Sequence, residues 1–392
     1  MSTNRKTVVI LLSLFVGSVI MVSWLTLTSR PSRVYWLETS PGVQSAAYDV
    51  SNDGSTIVGY VAFQAMRPKP VLWRRQGNVW NIEKIPVPSG MVGTAFGVSP
   101  SGKFVVGTLT DLSTGGLIGY GFLWSQETGT RLFGPIHRKW RFNPQEIPTP
   151  STIEGVYAVD DKGLILLGQL GNNRIGFWRL MHDGAYKEQI IQHDSSALSV
   201  LRTGYTRCMS TDGTLLGGQM SLHPVIWRYS RNHWKATLLD QDARGEVIQI
   251  AQEDKAIIAI GSIIRPKGMY AVRWTFREGK WLQQPLCRSS SRAHGATKDG
   301  RTVVGSIDQA RGSEPWTAFY WSEASGMVNL NDYFETELKH WLAIGWLKNF
   351  LIDRCSVLVD AYGVSDDGRY VVGYGYNART GRMEAYIATL RP

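Results

Sequence analysis

Arg207, Gln249 and His294 each stand three positions before the turn residue of successive copies of an internal repeat. The matching points in the other copies carry Tyr48, Phe96, Tyr157 and Tyr362. A guanidinium, an amide and an imidazole offer the donors and acceptors that hold an anion or a sugar hydroxyl. Set on adjacent units of a closed array, they would line one arc of a central channel as a ligand-binding set, or a wall satisfied by water. Three acids, Glu154, Glu246 and Asp360, lie near the starts of the same strands. Two carboxyls within roughly 5–10 Å across a cleft would suit a glycan-active hydrolase or lyase; dispersed, they would suit binding.

Other chemistry is poorly represented. Asp49-x-Ser51-x-Asp53-Gly54 begins like a calcium loop, but Tyr60 occupies the place where a bidentate acid is needed. Ser-x-Asp-Gly also recurs, which marks a turn. His137, His182, His193, His223, His233, His294 and His340 have no paired spacing. Neither a Gly-x-Ser-x-Gly elbow nor a phosphate-binding or dinucleotide fingerprint occurs. Cys208, Cys287 and Cys355 form no disulfide framework or zinc pattern. No catalytic residue, metal ligand or cofactor is assigned on these grounds.

The repeat that positions these residues closes on Gly59, Gly107, Gly168, Gly217, Gly261, Gly305 and Gly373. It then reaches Trp73, Trp124, Trp178, Trp227, Trp274 and Trp321, with Tyr386 in the seventh place. Tryptophan spacings of 51, 54, 49, 47 and 47 residues match one four-stranded propeller blade. Asp53-Gly54, Asp212-Gly213, Asp299-Gly300 and Asp367-Gly368 supply the positive φ of a tight hairpin. Copies three and five are degenerate, with Lys162-Gly163 and Asp254-Lys255 at that turn. The seventh copy ends without a fourth strand, and Arg33–Glu38 precedes the first. Pairing the two predicts an all-β, seven-bladed propeller closed by an N-terminal strand over residues 33–392, with no exposed sheet edge at the seam.

Residues 1–32 read differently. Thr7 to Leu27 is an uncharged run of 21 residues preceded by Arg5 and Lys6. It is long enough for a hydrocarbon core of about 30 Å and exceeds the core of a cleavable signal. Membrane attachment through residues 7–27 as a signal-anchor, or secretion after cleavage, both place residues 33–392 outside the cytoplasm: periplasmic or at the cell surface. The closing strand starts from the Asp-Gly face, and Thr28–Ser32 spans roughly 20 Å at most. That face would therefore look toward the membrane and the variable face away from it.

A net charge of +10 favours anionic partners. Arg67, Arg138, Trp140, Arg141, Arg265, Lys267, Arg311 and Trp316 fall in connections assigned to the variable face, with Trp341 and Trp346 in a further long one. Basic side chains interleaved with tryptophan suit an acidic glycan or the acidic patch of an envelope protein. Nucleic acid is disfavoured by the location and by the lack of any recognition helix or aromatic RNA-binding signature.

The pattern resembles the extracellular HAF repeats, named for a His-Ala-Phe triplet before the tryptophan, over nearly all of residues 33–392. Asn329-Leu330-Asn331-Asp332 followed by Ala361-Tyr362-Gly363-Val364-Ser365 is similar to their closing unit, and Thr317-Ala318-Phe319 is the nearest triplet, without its histidine. The resemblance implies a secreted or envelope propeller and brings no catalytic residue with it. The expected role is a binding or scaffolding module, with glycan cleavage as the alternative.

Overall fold

The computed structural model describes residues 33–37, 39, 43–63, 67–77, 79–137, 155–170, 174–191, 203–253, 256–311, 314–338 and 356–390. The predicted span at 7–27 and the candidates Arg138, Trp140, Arg141, Glu154, Trp341 and Trp346 lie outside these residues. Among those described, no helix is long and apolar enough to cross a membrane.

Residues 34–392 form one compact unit. It contains seven four-stranded antiparallel sheets. Six are sequential meanders. The seventh joins three C-terminal strands to Val34–Trp36, which pairs with Arg382–Thr389 through Val34↔Ala388 and Trp36↔Tyr386. The Leu37 N–H continues this pairing to the Ala385 carbonyl at 2.8 Å. This is a seven-bladed β-propeller.

The apolar clusters sit between blades as well as within them. Val43, Ile57 and Trp73 of the first blade pack with Val372, Ala385 and Ile387 of the seventh. Cys208, Leu215 and Ile226 of the fourth pack with Val247, Val272 and Trp274 of the fifth. Trp73, Trp227 and Trp274 are fully buried. Each removes on the order of 4–6 kcal/mol worth of apolar surface from water. Leu330–Tyr333 and Glu335–Leu338 form two short helices, and their Leu330 and Leu338, with Phe334 between them, pack at the seam of blades six and seven.

The Asp-Gly hairpins are locked as turns. Gly54, Gly213, Gly300 and Gly368 all have φ near +70°. In the first blade the Ser51 hydroxyl donates to Asp53 Oδ1 at 2.7 Å while accepting the Thr56 N–H at 3.0 Å. The same arrangement returns at Ser210/Asp212, Thr297/Asp299 and Ser365/Asp367. Asp53 is thereby committed to its turn.

Each inner strand also carries a β-bulge that the sequence pattern did not reveal. Ala47 pairs with Gly59 and Asp49 with Val58, so the ladder register skips Tyr48. The corresponding bulged residues are Phe96, Tyr157, Arg207, Ile248, His294 and Tyr362. A bulge bends its strand and increases the local twist. Opposite it, a Cβ on Gly59 would stand 2.0 Å from the Ala46 carbonyl oxygen. The same clash, at 1.9–2.2 Å, arises at Gly107, Gly168, Gly218, Gly261, Gly305 and Gly373. The repeat glycine is the socket facing each bulge, and the same approach, at 2.0–2.2 Å, also arises away from the bulges at Gly93, Gly176, Gly204 and Gly245.

This register corrects three expectations. The fourth copy's socket is Gly218, facing the Tyr205 carbonyl, and not Gly217. Tyr386 does not replace the seventh tryptophan. Tryptophans in the first six blades pair two residues before the socket, as in Ile57↔Trp73, whereas Tyr386 pairs with Gly373 itself and Ala388 holds the tryptophan's place. In the fifth blade the bulge falls on Ile248, not Gln249, because the glycine-free hairpin extends the ladder through Gln252↔Ile257 and Glu253↔Ala256.

The residue after each bulge faces the next blade. A Cβ on Gly97 would meet the Tyr157 carbonyl at 2.5 Å, and one on Gly363 the Tyr48 carbonyl at 2.7 Å. Gly97→Ala or Gly363→Ala should therefore cost about 1–3 kcal/mol through overpacking. Ala158→Gly, at the same point of the third blade, should cost less than about 1 kcal/mol. Urea midpoints compare the three directly.

Candidate functional site: the bulge rings of the central channel

The bulged residues form one ring around the channel. Tyr362 lies 4.6 Å from Tyr48, and Tyr48 meets Phe96 edge-on at 5.1 Å. Phe96 continues to Tyr157 at 6.3 Å, and Tyr157 to Tyr205 at 5.3 Å. His294 joins the other end, edge-on to Tyr362 at 4.9 Å. The Arg207 guanidinium lies 5.4 Å from the Tyr157 ring centroid. Blades one to three and seven thus close the channel waist with packed rings.

A second ring stands two residues earlier on the same strands: Ala46, Thr94, Gly155, Tyr205, Glu246, Arg292 and Asp360. These are the residues whose carbonyls press on the socket glycines. The first three are small, and the last four are large and polar. The Tyr205 hydroxyl donates to Glu246 Oε2 at 2.8 Å, and Arg292 Nη2 lies 3.6 Å from Glu246 Oε1. His294 Nε2 lies 3.2 Å from Asp360 Oδ2. A polar arc therefore runs across blades four to seven. Its two acids, Glu246 and Asp360, are those expected at the channel mouth. Arg207 and His294 join them from the first ring.

Burial alone would raise the Glu246 carboxyl. The Arg207 and Arg292 guanidiniums, the Tyr205 hydroxyl and His294 outweigh it and hold the group below the usual glutamate range. Burial also raises the Cys208 thiol. Asp49 is raised to about 7 by burial, against the pull of the Val98 and Val50 N–H groups that bond it at 2.9 Å each. Two arc atoms are buried without a hydrogen-bond partner: Arg207 Nη1 and Asp360 Oδ1.

Gln249 does a different task from the one expected. It follows its bulge, as Asp49 does, and its amide donates to the Thr297 carbonyl of the next blade at 3.3 Å while accepting its neighbour's N–H. Asp49 bridges to the Val98 N–H in the same way. Both side chains fasten adjacent inner strands.

The waist separates two cavities. One, of about 350 Å³, opens on the Asp-Gly face between Asn52, Pro100, Asp161, Thr211, Lys298 and Asp366, and includes Arg207 and Gln249. The other, of about 400 Å³, opens on the opposite face and includes Arg292, Ser306, Glu314, Trp316, Asp360 and Tyr374. His294 and Tyr362 border both.

Of the residues expected in loops on that opposite face, Lys267 lies in a second-to-third-strand turn, whereas Arg67, Arg265, Arg311 and Trp316 lie on the strands that flank such turns. Trp316 is half-buried, and Arg67 and Lys267 are exposed. Arg265 pairs with Asp240 and Arg311 with Asp332, each at 2.6 Å. Half of these described cations thus bring their own acid.

The residues for a Ser-His-Asp relay are present, but Ser306 Oγ (3.4 Å) and Asp360 both approach His294 Nε2. A relay needs the acid on one ring nitrogen and the nucleophile on the other. Glu246, held ionised, does not serve as a general acid near neutrality. Among the described residues, no group of three or more His, Cys, Asp or Glu side chains converges as a metal site would require.

No family model matches the chain, and no curated protein matches it. Among solved structures it resembles the β-propeller domain of Cps50 (Swd1) from Myceliophteria thermophila, at 9% identity over 91% of this chain and 100% of that one, with a TM-score of 0.49. A putative TolB from Agrobacterium tumefaciens is 13% identical over 92% and 97% of the two chains, TM-score 0.39. An oligogalacturonate lyase from Vibrio parahaemolyticus is 11% identical over 93% and 95%, TM-score 0.35. These likenesses carry no argument about activity.

The Glu246 carboxylate sets a pH dependence. Its folded pKa lies below the usual 4.5, so its contribution to stability is full above that value and is lost as pH falls through the folded pKa. Glu246→Gln should cost about 3–5 kcal/mol at neutral pH, as expected for breaking a buried ion pair. The difference between wild type and variant should shrink below pH 4.5, as urea melts across pH would show.

Proposed function

We propose that the chain is a membrane-anchored, extracytoplasmic binding or scaffolding module, and that its envelope partner, protein or glycan, engages the channel mouth on the face bearing Trp316. The observation that carries this reading is the polar arc of blades four to seven, in which Asp360, a lining residue of the cavity on that face, has its Oδ1 buried without a partner. Leaving such a group unmet costs about 1–3 kcal/mol, which a ligand would recover. The uncharged run from Thr7 to Leu27 supports the anchor, and the HAF-like repeat supports the location. Exposed Arg67 and Lys267 add donors around the mouth.

Full-length tagged protein, crosslinked in intact cells and purified, should enrich one envelope component. Arg292→Met, which also takes one cation from Glu246, should reduce that enrichment at least tenfold per amount of folded protein recovered. Equal enrichment by the variant would place any partner elsewhere. The location is tested separately: protease added to spheroplasts should digest a C-terminal tag, and a tag that stays protected until lysis would overturn it.

A further inference from the structure

We infer that the 400 Å³ cavity on the Trp316 face is a subsite for a neutral pyranose. The inference rests on the binding role proposed above and narrows its ligand. The volume falls within the roughly 300–1,000 Å³ of small-molecule sites. The choice of ligand follows from the donors and acceptors around it.

Asp360 and Glu314 supply carboxylate oxygens to the cavity, Arg292 supplies N–H donors, and Ser306 can do either. Asp360 is 8% exposed, and its Oδ1 has no hydrogen-bond partner. A cationic group would be repelled by Arg292, and an anionic group would face two acids. Adjacent hydroxyls donate to a carboxylate and accept from a guanidinium at once, and they meet both without adding a charge to the site. The cavity's aromatic wall fits the rest of such a ring. Trp316 stands half-buried, and Tyr374 stacks on Tyr362 at 5.7 Å and 17°. The negative face of an indole attracts the axial C–H groups of a pyranose as it does an aromatic edge.

The test uses the full chain in a sugar-free polyoxyethylene detergent. The probes are D-glucose, D-galactose, D-mannose, N-acetyl-D-glucosamine, D-glucuronate and choline, followed by saturation-transfer NMR and tryptophan fluorescence. At least one neutral pyranose should bind, at least tenfold more tightly than D-glucuronate or choline. Trp316→Ala and Asp360→Asn should each weaken it tenfold or more, and Trp316→Phe should keep most of the affinity. Should Asp360→Asn fail to fold, the Trp316 pair, at the cavity rim, decides the matter. Absence of binding by every neutral pyranose, a preference for glucuronate or choline, or indifference to Trp316→Ala would overturn the assignment. If the sugars fail while the crosslinked partner is still lost on Arg292→Met, only the pyranose falls. If both fail, the binding role falls with it.

Discussion

A bulge stands at the same point of all seven inner strands. The facing strand carries a glycine at each, where a Cβ would stand 1.9–2.2 Å from a carbonyl oxygen and only glycine fits. The bulged residue turns toward the channel, and the residue after it meets the next blade. One local irregularity therefore sets the channel lining and the spacing between blades. Tyr48, Arg207 and His294 share a ring because they share that irregularity.

Blade number, the N-terminal strand of the seventh sheet and the tight turns were legible because each leaves a periodic trace: tryptophan, a spare aromatic strand and Asp-Gly. The bulge left none of its own. Distance from the turn locates the bulge only where turns are equal in length. It fails in the fifth blade, whose hairpin lacks the glycine, and there Gln249 stood in for Ile248. The fourth blade offers two adjacent glycines, and only the Tyr205 carbonyl distinguishes the socket. Tyr386 misled for another reason. An aromatic packed over a socket glycine, as Phe122 is over Gly107 and Phe319 over Gly305, looks in sequence like one packed between blades.

Half of the candidate site was visible, and for the right cause. Arg207 and His294 stood out as polar exceptions in an aromatic column. Their companions belong to a column two residues earlier, where Ala46, Thr94 and Gly155 give way to Tyr205, Glu246, Arg292 and Asp360. That contrast is present in the sequence and becomes readable once the bulge gives the register. In sequence Glu246 and Asp360 look like separate acids; in the fold Asp360 pairs with His294 of the expected binding set and Glu246 with Arg292 of the second column.

Blades one to three show that this second column can be filled with small side chains, so the ions of blades four to seven are not demanded by the fold. A buried ion pair loses much of its attraction to desolvation, and an apolar replacement of similar volume is often as stable. The arc is also incompletely satisfied, at Arg207 Nη1 and Asp360 Oδ1. Hydrolysis of a glycosidic bond would call for a carboxyl that retains its proton near neutrality. Arg207 and Arg292 act on Glu246 in the opposite sense. Asp49 is raised to about 7, but each of its oxygens is tied to a backbone N–H, one of its own strand and one of the next blade. The charges are thus arranged to present fixed donors and acceptors at the channel mouth, and fixed donors and acceptors are what recognition requires.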